Sequence, residues 1–275
     1  MRLLNLGCGT TWHPGWVNVD LAPAAPGILA HDLGRPLPFA DCSFDAVYHA
    51  HVLEHLDAED AAPFIKECVR VVKPGGIVRV VVPDLEAICR LYAEKLDGAS
   101  AGDAVAAADY DWIVLELYDQ AARKFKGGLM GRHLKSAGLA NEDFIKARVG
   151  AEMWNTVRQQ EHSPSSGLMA RISRLTLRYV VRRVRERMAG AMVGIIAGGR
   201  ARKAFQEGTF RARGEVHRWM YDRYSLGRLM MDSGLRDVAV CGPTESRIAG
   251  FADYGLDVRN GEERKPDSIY MEGLS

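Results

Sequence analysis

The run Leu4-Asn5-Leu6-Gly7-Cys8-Gly9, followed by Val17-Asn18-Val19-Asp20, holds the residue types that grip a nucleoside. A strand that runs into glycines lets backbone approach a ligand closely, and an acid at the end of the next strand can accept hydrogen bonds from ribose hydroxyls. A G-x-G alone is also a plain turn, so both readings stand on these residues. A dinucleotide fits poorly. Thr10, Thr11 and Trp12 follow where a third glycine would be needed, and Pro14-Gly15 leaves no room before Val17 for a helix whose N-terminus could hold a diphosphate. A cofactor without phosphate and with a positive centre loses nothing there.

Other groups have chemistry to offer. Glu54-His55 suits proton transfer, although two such residues also serve to tie a strand end to a helix. Strand alternation puts His49 and His51 on one face, opposite Ala50, with His51 nearer the ligand end; His13 lies in a loop. Glu116, Asp119, Gln120 and Arg123 are three and four apart on one helix and form a polar face, solvent-exposed by default. His217 stands beside Glu215 and Asp222 and near Trp219 and Tyr221, a mixture that suits a sugar, with aromatics for ring faces and acids for hydroxyls. Hinge packing explains the aromatics equally well. The five cysteines are odd in number, scattered and without a C-x-x-C pair, which argues against a disulfide framework or zinc site and for a reducing compartment. No metal is expected.

The elements that must position these groups follow from periodicity. Leu3–Leu6, Trp16–Val19, Asp45–Ala50 and Ile77–Val82 are strand candidates, and a helix capped by Asp57 carries Phe64, Ile65, Cys68, Val69 and Val72 before stopping at Lys73-Pro74-Gly75-Gly76. From about Leu85 alanine-rich helical patterns dominate. One helix with Ile113, Leu117 and Ala121 ends at Gly127-Gly128, and another starts at Asn141 and carries Ile145, Val149, Met153 and Val157. Ser225–Ser233 reads as a helix closed by Gly234, and Val238–Cys241 and Ile269–Met271 as strands. The fold class is therefore α/β, a mainly parallel sheet interrupted by a helical insertion. The 275 residues, 47% hydrophobic and 26% charged with net charge +1, exclude disordered and collagen-like classes. That balance hides a concentration: from Arg171 to Lys203 there are ten basic residues against the single acid Glu186.

Several motifs together resemble the class I S-adenosylmethionine-dependent methyltransferases, in the type 11 branch: L-x-x-G-C-G ending at Gly9, Asp20 after the second strand, His31-Asp32-Leu33, Leu37-Pro38-Phe39, Ser43-Phe44-Asp45, Val52-Leu53-Glu54-His55 and Lys73-Pro74-Gly75-Gly76. The resemblance implies a Rossmann-like sheet with an antiparallel hairpin near its carboxyl end. It implies a cofactor-binding core over 1–84 and 217–275, with a helical cap over 85–216 between the fifth and sixth strands. By the same resemblance S-adenosyl-L-methionine is the cofactor: Gly7, Cys8 and Gly9 approach its methionine part, Asp20 and Leu21 its ribose, Asp32 and Leu33 its adenine, and Ala50 and His51 the sulfonium side. One departure stands out, because most members place a helix where Thr10–Trp16 reads as a loop. Gly127–Gly131 and Gly214–Asp222 resemble a subgroup associated with bacterial surface-polysaccharide biosynthesis.

The function these readings favour is methyl transfer to a small-molecule or glycan-type acceptor, by O-methylation. A hydroxyl acceptor needs a base, and His217 is expected in that role, with Asp119 orienting it or acting as an alternative base. Two other classes stay open: a membrane-docked methyltransferase of a lipid or quinone-type acceptor, and a cofactor-binding module without catalysis. The basic segment 171–203 reads as an amphipathic helix with Leu168, Ile172, Leu175, Tyr179 and Met188 on one side; it is a solvated lid or a peripheral membrane contact. Nucleic acid is disfavoured, since aromatics do not interleave with the basic residues. With no charged leader before Leu3 and no apolar run long enough to span a bilayer, the chain is expected in the cytoplasm, with peripheral contact at the inner membrane face as the alternative.

Overall fold

The computed structural model describes residues 1–162, 177–212 and 214–275. The strands are β1 (Leu3–Leu6), β2 (Val17–Asp20), β3 (Leu29–Ala30), β4 (Phe44–Ala50), β5 (Val72–Pro83), β6 (Arg236–Cys241), β7 (Val258–Arg259), β8 (Glu262–Glu263) and β9 (Ser268–Leu274). Seven of them form one sheet in the order β3-β2-β1-β4-β5-β9-β6, while β7 and β8 pair as a separate short ribbon. β1 to β5 are mutually parallel, and β9 runs antiparallel to both β5 and β6. The described helices are α1 (Ala58–Val71), α2 (Leu85–Ser100), α3 (Ala104–Ala122), α4 (Gly128–His133), α5 (Glu142–Val149), α6 (Ala151–His162), α7 (Leu177–Arg211) and α8 (Arg223–Asp232).

The central strands are apolar on both faces because both are covered. On one face Phe64, Ile65 and Cys68 of α1 and Leu226 and Met230 of α8 pack with Leu4, Leu6, Val47, Val78 and Val80. The opposite face lacks such helices among the described residues, and aromatics cover it: Trp16, from the loop between β1 and β2, joins Tyr48, Ile248, Phe251, Leu256 and Tyr270. Its indole meets Tyr48 edge-on at 6.0 Å and Tyr254 at 5.3 Å. No helix stands between β1 and β2, and Trp16 supplies the apolar surface that such a helix would bring. Beneath this cover the fully buried Arg79 of β5 donates at 2.8 Å to both Asp257 and Glu272 and also to the carbonyls of Gly242 and Glu245. The helical segment after β5 has its own small core of Ile88, Trp112, Ile113, Leu134 and Ile145.

Several local expectations change. The helix expected from Asn141 through Val157 is two, because Gly150 takes φ 81° and a side chain there would come within 2.9 Å of the Arg264 carbonyl. Gly127 and Gly128 do not end α3, which stops at Ala122; they open α4. Asp57 makes no side-chain cap on α1 and pairs with Arg218 instead. Asp222, expected in a sugar-contacting wall, caps α8 in a reciprocal box with Ser225. Leu168, Ile172, Leu175, Arg171 and Arg174 lie outside the described residues, as does the side chain of Tyr179.

His49 on β4 is fully buried, lies edge-on to Phe64 at 5.0 Å, and neither ring nitrogen has a hydrogen-bond partner. Burial therefore lowers its pKa from 6.5 to about 3. As pH falls through that window the unfolded chain takes up a proton that the folded chain refuses, so stability present above 6.5 is lost toward acid. Urea unfolding should show wild-type stability falling more steeply than that of His49→Leu, by roughly 1.4 kcal/mol per pH unit. Equal slopes would mean that His49 titrates alike in both states.

Candidate active site

The chain order reverses between β1 and β4, so their carboxyl ends diverge and open a crevice at the place where sheets of this kind bind ligands. Gly7 (φ 65°) and Gly9 (φ 52°) turn the chain at the end of β1. A side chain on Gly7 would strike Val52, its Cβ falling 2.3 Å from Cγ2, whereas one on Gly9 would meet nothing within 4 Å. Gly7 is thus required by packing, and Gly9 opens bare backbone to the crevice. Cys8 between them is buried; burial and the nearby Asp20 push its thiol to about 11, which keeps it protonated and unreactive. Asp20 accepts hydrogen bonds from the Gly9 and Ala22 amides, each at 2.8 Å. A carboxylate has about four lone-pair sites, so two remain for a vicinal diol.

The neighbouring residues complete one wall. Leu21 is exposed beside Asp20; Leu33 is half-buried, with Cδ1 3.7 Å from the position a Gly7 Cβ would take. Asp32 is exposed and accepts the Gly34 amide at 3.1 Å. Ala50, half-buried, ends β4. The next residue, His51, has φ 55°, so strand alternation no longer sets its direction and it does not share the buried environment of His49. Its Nε2 is 2.8 Å from Ser268 Oγ and its Nδ1 3.3 Å from Glu54 Oε1. Burial first, then Lys265, hold the imidazole well below its ordinary pKa and therefore neutral.

Behind His51 lies a polar cluster that only tertiary structure assembles. Glu54, fully buried in the 3-10 turn Leu53–His55, has no hydrogen bond to either carboxyl oxygen, and burial raises its pKa to about 8. Its main-chain carbonyl accepts the Arg218 amide at 2.7 Å, and His55 Nδ1 lies 3.3 Å from the Val216 carbonyl, so the return segment is pinned to this turn. Lys265 and Asp267, just before β9, also face it; burial lowers the first and raises the second to about 6. Sequence reasoning missed both, since nothing near them in the chain marks them as site residues.

His217 and Asp119, expected as base and orienting group, both have partners other than their sequence neighbours. His217 is only 6% exposed; its amide bonds to the Gln120 carbonyl, its ring lies 4.9 Å from that of His55, and burial lowers it to about 3. It has no ion pair with its sequence neighbours: Glu215 accepts the Gly127 amide and Asp222 caps α8. Asp119 accepts the Leu129 and Met130 amides at 2.7 and 3.2 Å, holding the start of α4, with Arg123 at 3.5 Å. Both residues are buried, each 6% exposed. Glu116 is likewise buried, bonded to Trp112 and paired with Arg148 at 2.7 Å, so the polar face of α3 is covered by α5. Tyr221 lies in the core, while Trp219 is 51% exposed.

Comparison with known proteins finds likenesses to methyltransferases. Residues 17–80 match the family profile described as a methyltransferase domain. A probable S-adenosylmethionine-dependent methyltransferase of Mycolicibacterium smegmatis is 46% identical over 56 residues, 20% of this chain and 21% of that protein. The chain thus spans about a fifth of the length of that curated relative. Among solved structures, an S-adenosylmethionine-dependent methyltransferase from Mesorhizobium loti aligns with 100% of this chain and 90% of its own at 12% identity and TM-score 0.37. One from Archaeoglobus fulgidus aligns with 34% and 50% at 21% identity and TM-score 0.28. The strand order with its antiparallel β9 is that of a Rossmann-like α/β sheet, and residues 17–80 within it are similar to a methyltransferase domain.

The remaining acceptor positions of Asp20 suit a ribose diol such as that of S-adenosylmethionine, on which the matched relative depends. Asp20→Ala should weaken S-adenosylhomocysteine binding by roughly 10-fold or more, as loss of charged hydrogen bonds worth roughly 1.5–3 kcal/mol requires. Isothermal calorimetry measures this; unchanged affinity would take Asp20 out of the site.

Proposed function

We propose that the protein transfers a methyl group from S-adenosylmethionine to a hydroxyl of a small-molecule or glycan acceptor. The observation that carries this reading is the crevice between β1 and β4, with open backbone at Gly9 and the part-free carboxylate of Asp20 on one side and neutral His51 on the other. When bound, the cofactor supplies a methyl already activated by its sulfonium, so the protein must align the acceptor, exclude water and take a proton. His51 suits the last task better than the expected His217. It keeps 23% of its side-chain surface accessible; with Nδ1 held against Glu54, its Nε2 takes the proton by exchanging Ser268 Oγ for the acceptor hydroxyl. Trp219 offers an aromatic surface for the apolar face of a sugar ring, which supports the glycan-type acceptor of surface-polysaccharide synthesis.

Mass spectrometry of polysaccharide and metabolite extracts with and without the protein should find an acceptor heavier by one methylene unit. With that acceptor, His51→Asn should lower turnover by roughly 100-fold. A base with depressed pKa is neutral across the neutral range, so wild-type activity should be flat there. The variant should instead rise with pH as the acceptor itself ionises. A variant with wild-type turnover and profile would remove His51 as the base.

A second reading, of an acceptor at a membrane surface, is favoured by one surface feature. Val181, Val184, Met188, Met192 and Ile195 recur at helical spacing on α7, and all are at least 48% exposed. α7 breaks at Gly198 (φ 82°) into two arms that run side by side: a methyl on Gly190 would lie 3.6 Å from Phe205, and one on Gly194 3.1 Å from Arg202. Ile195 and Ile196, 85% and 80% exposed, stand near the bend with Arg200, Arg202 and Lys203 following. Apolar residues beside cations suit an anionic lipid surface, and no described helix is long and apolar enough to cross a membrane. Binding to phosphatidylserine vesicles should fall between low and high salt, each engaged cation being worth about 1 kcal/mol, and Ile195→Asp with Ile196→Asp should abolish it. Absence from such vesicles at all salt concentrations would return α7 to a solvated lid.

A further inference from the structure

The buried cluster behind His51 has a chemistry that methyl transfer does not use. Glu54 of the turn after β4, His55 beside it and His217 of the return segment each present one ligand-type atom, and the three atoms lie within 4.8 Å of one another. Two of these side chains are more than nine-tenths buried and carry atoms that make no hydrogen bond: both carboxyl oxygens of Glu54, of which Oε1 has His51 Nδ1 at 3.3 Å, and Nδ1 of His217. Leaving such groups without partners is costly, and a buried carboxyl beside two imidazoles offers a cation three converging ligand atoms.

From this convergence we infer a binding site for one divalent first-row transition ion of the zinc type, held by a Glu54 carboxylate oxygen, His55 Nε2 and His217 Nδ1. The tautomer of His55 fits. Its Nδ1 faces the Val216 carbonyl at 3.3 Å and so carries the proton, which leaves the Nε2 lone pair 4.0 Å from Glu54 Oε1. A backbone carbonyl orienting the far nitrogen is the usual support of a metal-bound histidine. Ligand atoms around a tetrahedral zinc stand about 3.4 Å apart, given bonds of roughly 2.0–2.2 Å, so the contraction needed is within side-chain torsion. Two imidazoles and one carboxylate select zinc or its neighbours over calcium and magnesium, which take oxygen ligands.

The surrounding charges permit it. Burial keeps both histidines neutral, the form that ligates, and Glu54 is the only carboxylate among the three ligands. Lys265 acts on Glu54 through space with no ion pair between them among the described residues, and burial holds its amine below the ordinary value, so it opposes a second cation less than an exposed lysine would. Arg123 is engaged by Asp119 and Glu215. With His217 6% exposed and Glu54 fully buried, the ion is a clamp between the turn after β4 and residues 216–219, not a site for acceptor exchange. It does not depend on the identity of the acceptor, nor on whether methyl transfer occurs.

The test uses the full chain, stripped with a chelator and titrated with zinc chloride in a calorimeter. One equivalent should bind and raise the thermal midpoint. Cobalt chloride should give the intense visible bands of a tetrahedral site. Glu54→Gln and His217→Ala should each weaken zinc at least 100-fold, while the loop variant His13→Ala should not. Should either variant fail to fold by circular dichroism, X-ray absorption of the zinc-loaded wild type replaces it, with two imidazoles and oxygen in the first shell and no sulfur. Failure of the wild type to bind zinc or cobalt, binding that survives in both variants, or sulfur in the shell each overturns the inference.

Discussion

Every group in the site depends on the divergence of two adjacent strands. The chain leaves β1 toward β2 on one side of the sheet and leaves β4 toward β5 on the other, so no connection bridges the gap at their carboxyl ends. The gap is held narrow. Val52 fills the place that any side chain at residue 7 would take, and the residue opposite it must be glycine with positive φ. One step further, at Gly9, the same backbone faces open space. The two glycines of one motif thus differ in surroundings, one closed in by protein atoms and the other facing open space.

The turn after β4 is the second structural hub. On its crevice side it carries His51 and Val52, and on its inner side the Glu54 carbonyl and the His55 ring hold residues 216–218. These residues lead out of the helical segment back to α8, so the helical segment is coupled to the strand end that borders the crevice. Because Glu54, His55 and His217 are desolvated, small changes in how their polar atoms are satisfied have large effects on that coupling.

What was legible in the sequence divides by range. Glycines and an acid at strand ends act locally, so the turn at Gly7 and Gly9 and the place of Asp20 at the end of β2 could be read directly, as could strands whose both faces are buried. Helical spacing showed that Glu116 and Asp119 share a face of α3, but not that α4 and α5 cover it. The acids next to His217 in sequence are claimed by a glycine amide and a helix start, while its real neighbours, Glu54 and His55, lie more than 150 residues away in the chain. Lys265 and Asp267 were out of reach for the same reason: their only signal is tertiary. The Asp222–Ser225 spacing was a readable capping box that a search for sugar-binding acids overlooked.

The place of β9 governs how the protein can be made. β6 has β9 as its one partner in the sheet among the described residues, and β9 also covers the valine-rich edge of β5. A ribosome delivers β5 long before it delivers Ser268–Leu274. Until then Val78, Val80 and Val82 belong to an open strand edge, the kind of surface that recruits other chains. The buried Arg79 of that edge also waits for Glu272 and Asp257, both synthesised late. Until β9 is made the nascent protein therefore carries a sticky, unneutralised flank, and a chaperone that shields β5 would act on the step most exposed to misassembly.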